Sequence, residues 1–372
     1  MLSGATAACT TLGERVPPGR VSHLQALGFG PFFAEQLGDA DLELVPGRVL
    51  ADLGPWLVVR YEDGERNTVV PGKVRGGAGA PVVGDFVLAP RGPSPAVARV
   101  LERRTRLSRN AAGRAVGEQV LAANVDVVFV VDAIDGAGDL ERRIERSVAA
   151  VLAGGADPVV LLTKCDLTDD QGPFLEAARA AAPGADIVPV SARSGLGLDE
   201  IRAHLASGRT GAFMGPSGSG KSTLVNALLG AEVQATGLVR EHDRRGRHVT
   251  TSRRLFPLPG GGSVVDGPGI RELKLWDAGG LHGAFEDLSE LAARCRFADC
   301  RHDGEPGCAV EDALRRGELD EARLESFRKL RRETEAHEAR KGSPAARQEQ
   351  KRSERERSRA IRRFLRDRGD RD

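Results

Sequence analysis

Gly215-Pro-Ser-Gly-Ser-Gly-Lys-Ser222 follows an apolar run at residues 212–214 and opens an amphipathic stretch at residues 222–229. The string fits G-x-x-x-x-G-K-[ST], and a strand before it and a helix after it are the context that motif needs. Its glycines let backbone N–H groups turn inward around phosphate oxygens, and the helix N-terminus adds partial positive charge. On this reading Gly215, Pro216, Ser217, Gly218, Ser219, Gly220 and Thr223 belong to the nucleotide-binding set, Lys221 neutralises the β- and γ-phosphates, and Ser222 supplies an oxygen to Mg²⁺. The loop alone specifies a nucleotide, not which one. The same string suits a guanylate-type kinase or a transporter ATPase.

Downstream, Asp266-Gly-Pro-Gly269 ends another apolar run. An acid at such a strand end reaches Mg²⁺ through water, and the N–H of Gly269 would contact the γ-phosphate. A plain Asp-Gly turn is the alternative. Between the two motifs lies Arg244-Arg-Gly-Arg-His-Val-Thr-Thr-Ser252, a polar, basic segment. A threonine there would be drawn onto Mg²⁺ when the γ-phosphate is present; Thr250 and Thr251 are both candidates.

Upstream, Leu162-Thr-Lys-Cys-Asp-Leu167 ends a buried-strand pattern and resembles an N-K-x-D guanine motif. Asp166 can accept from guanine N1–H and the 2-amino group, donors that adenine lacks at those places. Lys164 would lie along the base, and Thr163 stands at the first position of the motif. Ser191-Ala-Arg-Ser-Gly195 follows the next strand and looks like the S-A-x loop that meets guanine O6, with Ser191 and Ala192 as the contacts. In ordinary GTPases these two motifs come after the phosphate loop; here they precede it. Such a rewiring needs only old termini close in space and a new break in a surface loop.

The surrounding pattern supports an α/β domain. Residues 125–131, 158–162, 187–190, 212–214 and 262–265 read as buried strands, and residues 140–152, 174–181 and 222–229 as helices. This alternation predicts a parallel sheet covered by helices on both faces. Before it, residues 24–37 have roughly helical spacing. Between residues 47 and 106 come short β-like runs at 49–53, 56–61, 68–70, 85–88 and 96–101, split by Gly, Pro and Asp turns. They suggest a small barrel of the OB type, which either binds oligonucleotides or merely supports the next domain. Trp56, Tyr61 and Phe86 are its aromatic choices for stacking, and Arg103, Arg104 and Arg106 its basic ones.

Cys295-x4-Cys300-x-His302-x5-Cys308 offers three thiolates and an imidazole at short spacing, suited to one structural tetrahedral Zn²⁺. The segment is too small for a core of its own and is expected to need the metal to fold. The 372 residues allow two or three domains, with hydrophobic residues at 40% and a formal net charge of +1. No secretory pattern is read in residues 1–16, and no run approaches a membrane span. A cytoplasmic protein with clustered, reduced cysteines is the expectation.

Together, the OB-like segment, T-K-x-D, S-A, G-P-S-G-x-G-K-S-T, G-R-H-x-T-T, D-x-P-G and C-x4-C-x-H-x5-C resemble the ribosome small-subunit-dependent GTPase A (RsgA) family of 30S maturation factors. The resemblance implies a multidomain chain: an extension (1–44), an OB-fold RNA-binding β-barrel (45–108), a circularly permuted α/β P-loop GTPase domain (109–277), an α-helical zinc-binding domain (278–338) and a basic tail (339–372). It implies a monomer that takes GTP, GDP, Mg²⁺ and one Zn²⁺. Late in 30S maturation it would bind the small subunit and 16S rRNA near the decoding centre and hydrolyse GTP under the subunit's stimulation. Three positions depart from the family pattern: Thr163 replaces an Asn, Val249 a Thr, and Gly267 a Thr. Ile270 stands where many GTPases carry a water-orienting Gln; His248 in the switch segment is the candidate to position the catalytic water. A scaffold that binds rRNA with an occupied nucleotide site and little turnover is the rival reading. A small-molecule kinase fits less well, because of the cysteine cluster and Asp166.

Overall fold

The computed structural model describes residues 23–75, 79–93, 95–110, 118–134, 139–206, 208–230, 253–267 and 278–341. The first part of the chain carries five strands, β1 (Leu44–Asp52), β2 (Trp56–Tyr61), β3 (Gly64–Val69), β4 (Phe86–Pro90) and β5 (Arg99–Val100). Strand β1 pairs antiparallel with β2 and β4, β2 with β3, and β4 with β5. A parallel bridge from Val69 to Ala96 closes the ring. Its interior holds Val49, Leu57, Val59, Tyr61, Val87 and Val97. Gly47 permits this closure, because a Cβ there would lie 2.6 Å from Val59. Residues 24–37 form two helical turns, His23–Ala26 and Pro31–Ala34, in place of one helix.

A hairpin of β6 (Arg106–Asn110) and β7 (Glu118–Ala123) follows, so the expected boundary at residue 108 falls inside a strand. Next come β8 (Val127–Ala133), α1 (Leu140–Ala153), β9 (Asp157–Thr163), α2 (Gly172–Ala181), β10 (Asp186–Val190), α3 (Leu198–His204), β11 (Thr210–Met214), α4 (Lys221–Leu229), β12 (Arg254–Pro257) and β13 (Ser263–Asp266). The sheet order is β10-β9-β8-β11-β13-β12. Strand β8 shows why the valine run forms a central strand. Val127, Phe129 and Val131 pack with Ile201 and Leu224 on one face, while Val128 and Val130 pack with Ile144 and Val148 on the other. Successive side chains point to opposite faces, and both faces are covered by helices. Asp139 caps α1 by accepting from the Arg142 N–H, and Gly155, at φ +78°, turns the chain after it.

The sheet is not wholly parallel, contrary to the strand–helix rhythm. Strand β12 runs antiparallel to β13 through a turn in which the Leu258 N–H bonds to Gly262 O at 3.0 Å. Ala51 pairs with Arg254, so the barrel and the α/β sheet form one continuous hydrogen-bonded surface. Strand β12, four residues with only Leu255 buried, is too short to show the alternation that a sequence reading would register. The Arg48 guanidinium crosses the same junction. Fully buried over the Phe86 ring, it donates to Leu27 O and to Asn124 O, and burial lowers its pKa to about 10.

Four further helices, α5 (Ala278–Ala284), α6 (Glu286–Ala292), α7 (Ala309–Arg315) and α8 (Glu321–Lys341), complete the described chain. Their apolar residues Phe285, Leu288, Val310 and Phe327 belong to the same core as Val148 and Val151 of α1. The cysteine-rich segment thus shares the core of the α/β domain. Arg323 of α8 lies over the Phe285 ring and joins Glu145 of α1, at 3.0 Å, to Asp287 of α6, at 2.7 Å. No described helix is long and apolar enough to cross a membrane.

Helix α5 approaches α1 closely because Gly280 lacks a side chain: a Cβ there would sit 2.4 Å from Ala149 O and from Ala153 Cβ. Gly280→Val is therefore expected to destabilise the chain by about 1–3 kcal/mol through overpacking. The change would be read as a lower denaturant midpoint with unchanged slope. Gly283→Ala, where the nearest atom lies at 3.1 Å, should cost much less in the same measurement.

Candidate nucleotide site and metal loop

The strands that bear the motifs are parallel neighbours, so their C-terminal ends open on one edge of the sheet. Ligands of open α/β sheets bind at such an edge. Met214 of β11 leads into the phosphate loop, Thr163 of β9 into Lys164, Val190 of β10 into Ser191, and β13 ends on Asp266. The site is assembled by sheet order, which brings together motifs far apart in sequence.

The loop crosses the end of β8 at close range. Gly215 has φ +148°, and a Cβ there would fall 2.0 Å from Val131 O, which no side chain tolerates. Gly220, at φ +91°, turns the loop into α4. Ser219 and Lys221 are buried, whereas Pro216, Ser217, Gly218 and Thr223 are exposed. Ser219 Oγ donates to Pro216 O at 3.0 Å. The Lys221 ammonium donates to the same carbonyl and, at 3.1 Å, to Ser219 Oγ. A buried ammonium beside inward-facing backbone is suited to an anion such as phosphate.

Thr163 does more than occupy the position of a missing amide. Its buried hydroxyl lies 2.7 Å from Ser219 O and 3.1 Å from Asp132 O, tying β9 to the phosphate loop and to β8. Asp132, which the sequence reading passed over, is the penultimate residue of β8, its carboxylate paired to Arg143 of α1 at 2.8 and 3.0 Å. An acid closing a valine run was the available signal. Lys164 adopts φ +61°, a left-handed turn that redirects the chain so that Asp166 is exposed. A hydrogen bond from the Ser191 side chain holds the Asp166 carboxyl below its ordinary pKa. Ser191 is buried and its hydroxyl also accepts from the Ser194 N–H at 3.2 Å; Ala192 is half-buried beside it. Gly269, His248, Thr250 and Thr251 lie outside the described residues.

Cys295, Cys300, His302 and Cys308 converge, their donor atoms all within 4.8 Å of one another. His302 Nδ1 stands 3.6 Å from Cys295 Sγ and 3.5 Å from Cys308 Sγ, and those sulfurs are 4.0 Å apart. Tetrahedral Zn²⁺ with Zn–S near ~2.3 Å places its ligand atoms about 3.8 Å apart, so this donor set fits the ion. Burial, helped by the nearby Arg331, lowers the His302 pKa and favours the neutral imidazole that a metal requires.

Of the arginines and aromatics read as an RNA face, Arg103 is committed to the buried Asp85 carboxylate at 2.8 and 2.7 Å. Arg104 pairs with Asp126. Tyr61 is inside the barrel, and Phe86 is buried on the opposite face of its strand against Phe29 and Phe33; Trp56, 38% exposed, remains at the surface. Their periodicity was legible, but which face the barrel turned inward was not.

Residues 100–276 match the family model for the RsgA GTPase. The chain is 48% identical over 254 residues to a protein of Methanosarcina acetivorans named small ribosomal subunit biogenesis GTPase RsgA, covering 67% of this chain and 69% of that one. It is 39% identical over 342 residues to the protein of that name from Syntrophotalea carbinolica, covering 88% and 93%. Among solved structures, YjeQ from Thermotoga maritima superposes with a TM-score of 0.61 at 25% identity, covering 78% of this chain and 98% of that one. YloQ, described as a circularly permuted GTPase, has the same fold, with a TM-score of 0.58 at 22% identity over 81% and 98% of the two chains. With its guanine-type motif on β9 ahead of its phosphate loop on β11, the chain belongs to the RsgA family of circularly permuted GTPases and is a GTP hydrolase.

Proposed function

We propose that this protein binds the small ribosomal subunit through 16S rRNA and hydrolyses GTP under that subunit's stimulation, late in 30S maturation. The observation that carries the reading is the convergence of Thr163–Asp166, Ser191, the phosphate loop and Asp266 on one sheet edge, in a chain whose relatives are named small ribosomal subunit biogenesis GTPases. In this reading Asp166 accepts from guanine N1–H and the 2-amino group, steadied by Ser191, while the Ala192 N–H meets O6 and Lys164 lies along the base. Residues 215–223 wrap the phosphates, and Lys221 exchanges its loop partners for phosphate oxygens. Ser222 and Asp266 would hold Mg²⁺, which would neutralise charge on the phosphates. Thr250 or Thr251 joins them in the GTP state, Gly269 contacts the γ-phosphate, and His248 positions the water.

The protein is read as five parts, 1–44, 45–108, 109–277, 278–338 and 339–372, whose limits at 44, 108 and 338 fall within β1, β6 and α8. The pairings β3-β2-β1-β4-β5, with a bridge from Val69 of β3 to Ala96 just before β5, support an OB-type barrel for the second part. Trp56 is its stacking surface, and the basic tail adds phosphate contacts that weaken with salt. The protein acts as a cytoplasmic monomer with one structural Zn²⁺.

Single-turnover hydrolysis of GTP with and without small subunits tests the proposal. Stimulation of at least tenfold is expected, and equal rates would leave a nucleotide-occupied scaffold as the function. His248→Ala should retain subunit binding and lose most of the stimulation; full stimulated activity in that variant would remove His248 from the mechanism. Thr163→Val removes the one hydroxyl proton that the Ser219 and Asp132 carbonyls share, a hydrogen bond worth about 1 kcal/mol. Guanine nucleotide affinity should then fall roughly fivefold in titrations with a fluorescent analogue, while unchanged affinity would show that the Thr163 hydroxyl has no part in shaping the site.

A further inference from the structure

His302 has a left-handed backbone, φ +59°, which residues other than glycine adopt only where their surroundings enforce it. The surroundings are specific. The conformation of a residue is set by the two peptide groups that flank it. The peptide after His302 is held at both ends: its N–H, on Asp303, donates to Glu305 Oε2 at 2.7 Å, and its carbonyl, on His302, accepts from Arg328 Nη2. The peptide before His302 is held through its carbonyl, on Arg301, which accepts from Arg331 Nη2 at 2.8 Å. Glu305 Oε1 takes the Arg301 N–H at 2.9 Å as well. Arg328 is fixed in turn by Glu311 of α7, and Arg331 stacks over the Phe327 ring.

We propose that Glu305, Arg328 and Arg331 are positioning residues for the metal site. They hold the His302 imidazole between Cys295 and Cys308 independently of the metal, so that binding requires no rearrangement of the loop backbone. Two of the three come from α8, the helix whose Arg323 also reaches Glu145 of the α/β domain. The loop is thereby shaped by its neighbour as well as by its ion. This rests on reading Cys295, Cys300, His302 and Cys308 as ligands. Partners that fix ligand orientation change metal affinity by about 10- to 100-fold when lost.

The test uses the full chain loaded with Zn²⁺, with metal release to a chromogenic chelator and the Co²⁺-substituted absorption spectrum as readouts. Glu305→Gln keeps the shape but cannot accept both N–H groups as a carboxylate does. It should release zinc at least tenfold faster and alter the Co²⁺ ligand-field bands, with guanine nucleotide affinity unchanged within twofold. Arg331→Gln, at a half-buried position of α8, should speed release about fivefold, the equivalent of one hydrogen bond. Release rates within twofold of the parent in both variants would overturn the proposal. So would loss of nucleotide binding together with the metal, because the residues would then be supporting the whole fold. A parent chain that retains no stoichiometric zinc would instead overturn the ligand reading itself, and the proposal with it.

Discussion

The order of strands in the central sheet is fixed by hydrogen bonding between neighbours and by burial on both faces, and neither depends on the sequence in which the chain visits the strands. Strand β11 lies between β8 and β13, with β9 and β10 beyond β8. A chain that supplies β8, β9 and β10 first and β11 afterwards presents the same sheet edge as one that does the reverse. The permutation leaves the site intact because the site belongs to that edge. The contacts across it are short: Gly215 presses on Val131 O, and the Thr163 hydroxyl joins Asp132 O to Ser219 O. The threonine reaches backbone on both sides while lacking the amide of the family pattern, which accounts for a sheet that closes normally around a departure from the usual motif.

What permutation does alter is the set of structures attached to the site. The α/β domain is entered from the barrel, and the entry is not a loose tether. Strand β12 reaches β1, and the buried Arg48 bonds to carbonyls of Leu27 and Asn124. At the other end, the helices after residue 278 extend the core around α1. Breaking a buried pair such as Arg323–Glu145 leaves an uncompensated charge, which costs more than the intact pair contributes. Such contacts favour one docked arrangement of these helices. In the proposed function, the same connections place the RNA-binding barrel and the metal loop on a common frame with the nucleotide site.

Much of this was legible in the residues. Motifs such as the phosphate loop, T-K-x-D and the Cys–His spacing can be read locally because each needs particular residue types at fixed offsets: glycine where a backbone must pass close, an acid where donors converge, thiolates where an ion must be enclosed. The central strands were legible as well, since a valine run buried on both faces has few other solutions. By itself the sequence determined the class of site, the order of its motifs and the identity of its donors. Tertiary structure decided the rest. Strand β12 is only four residues long, too short to announce itself, and its place depends on a partner, β13, that follows a turn. Arg103 looked like a surface cation and is bound to a buried Asp85. Glu305, Arg328 and Arg331 carry no motif, and only folding brings them around His302. The physical reason is that charged side chains acquire their partners through space. A spacing rule sees neighbours along the chain, whereas the pairing of a buried carboxylate or carbonyl is settled by whichever donor the packed elements deliver.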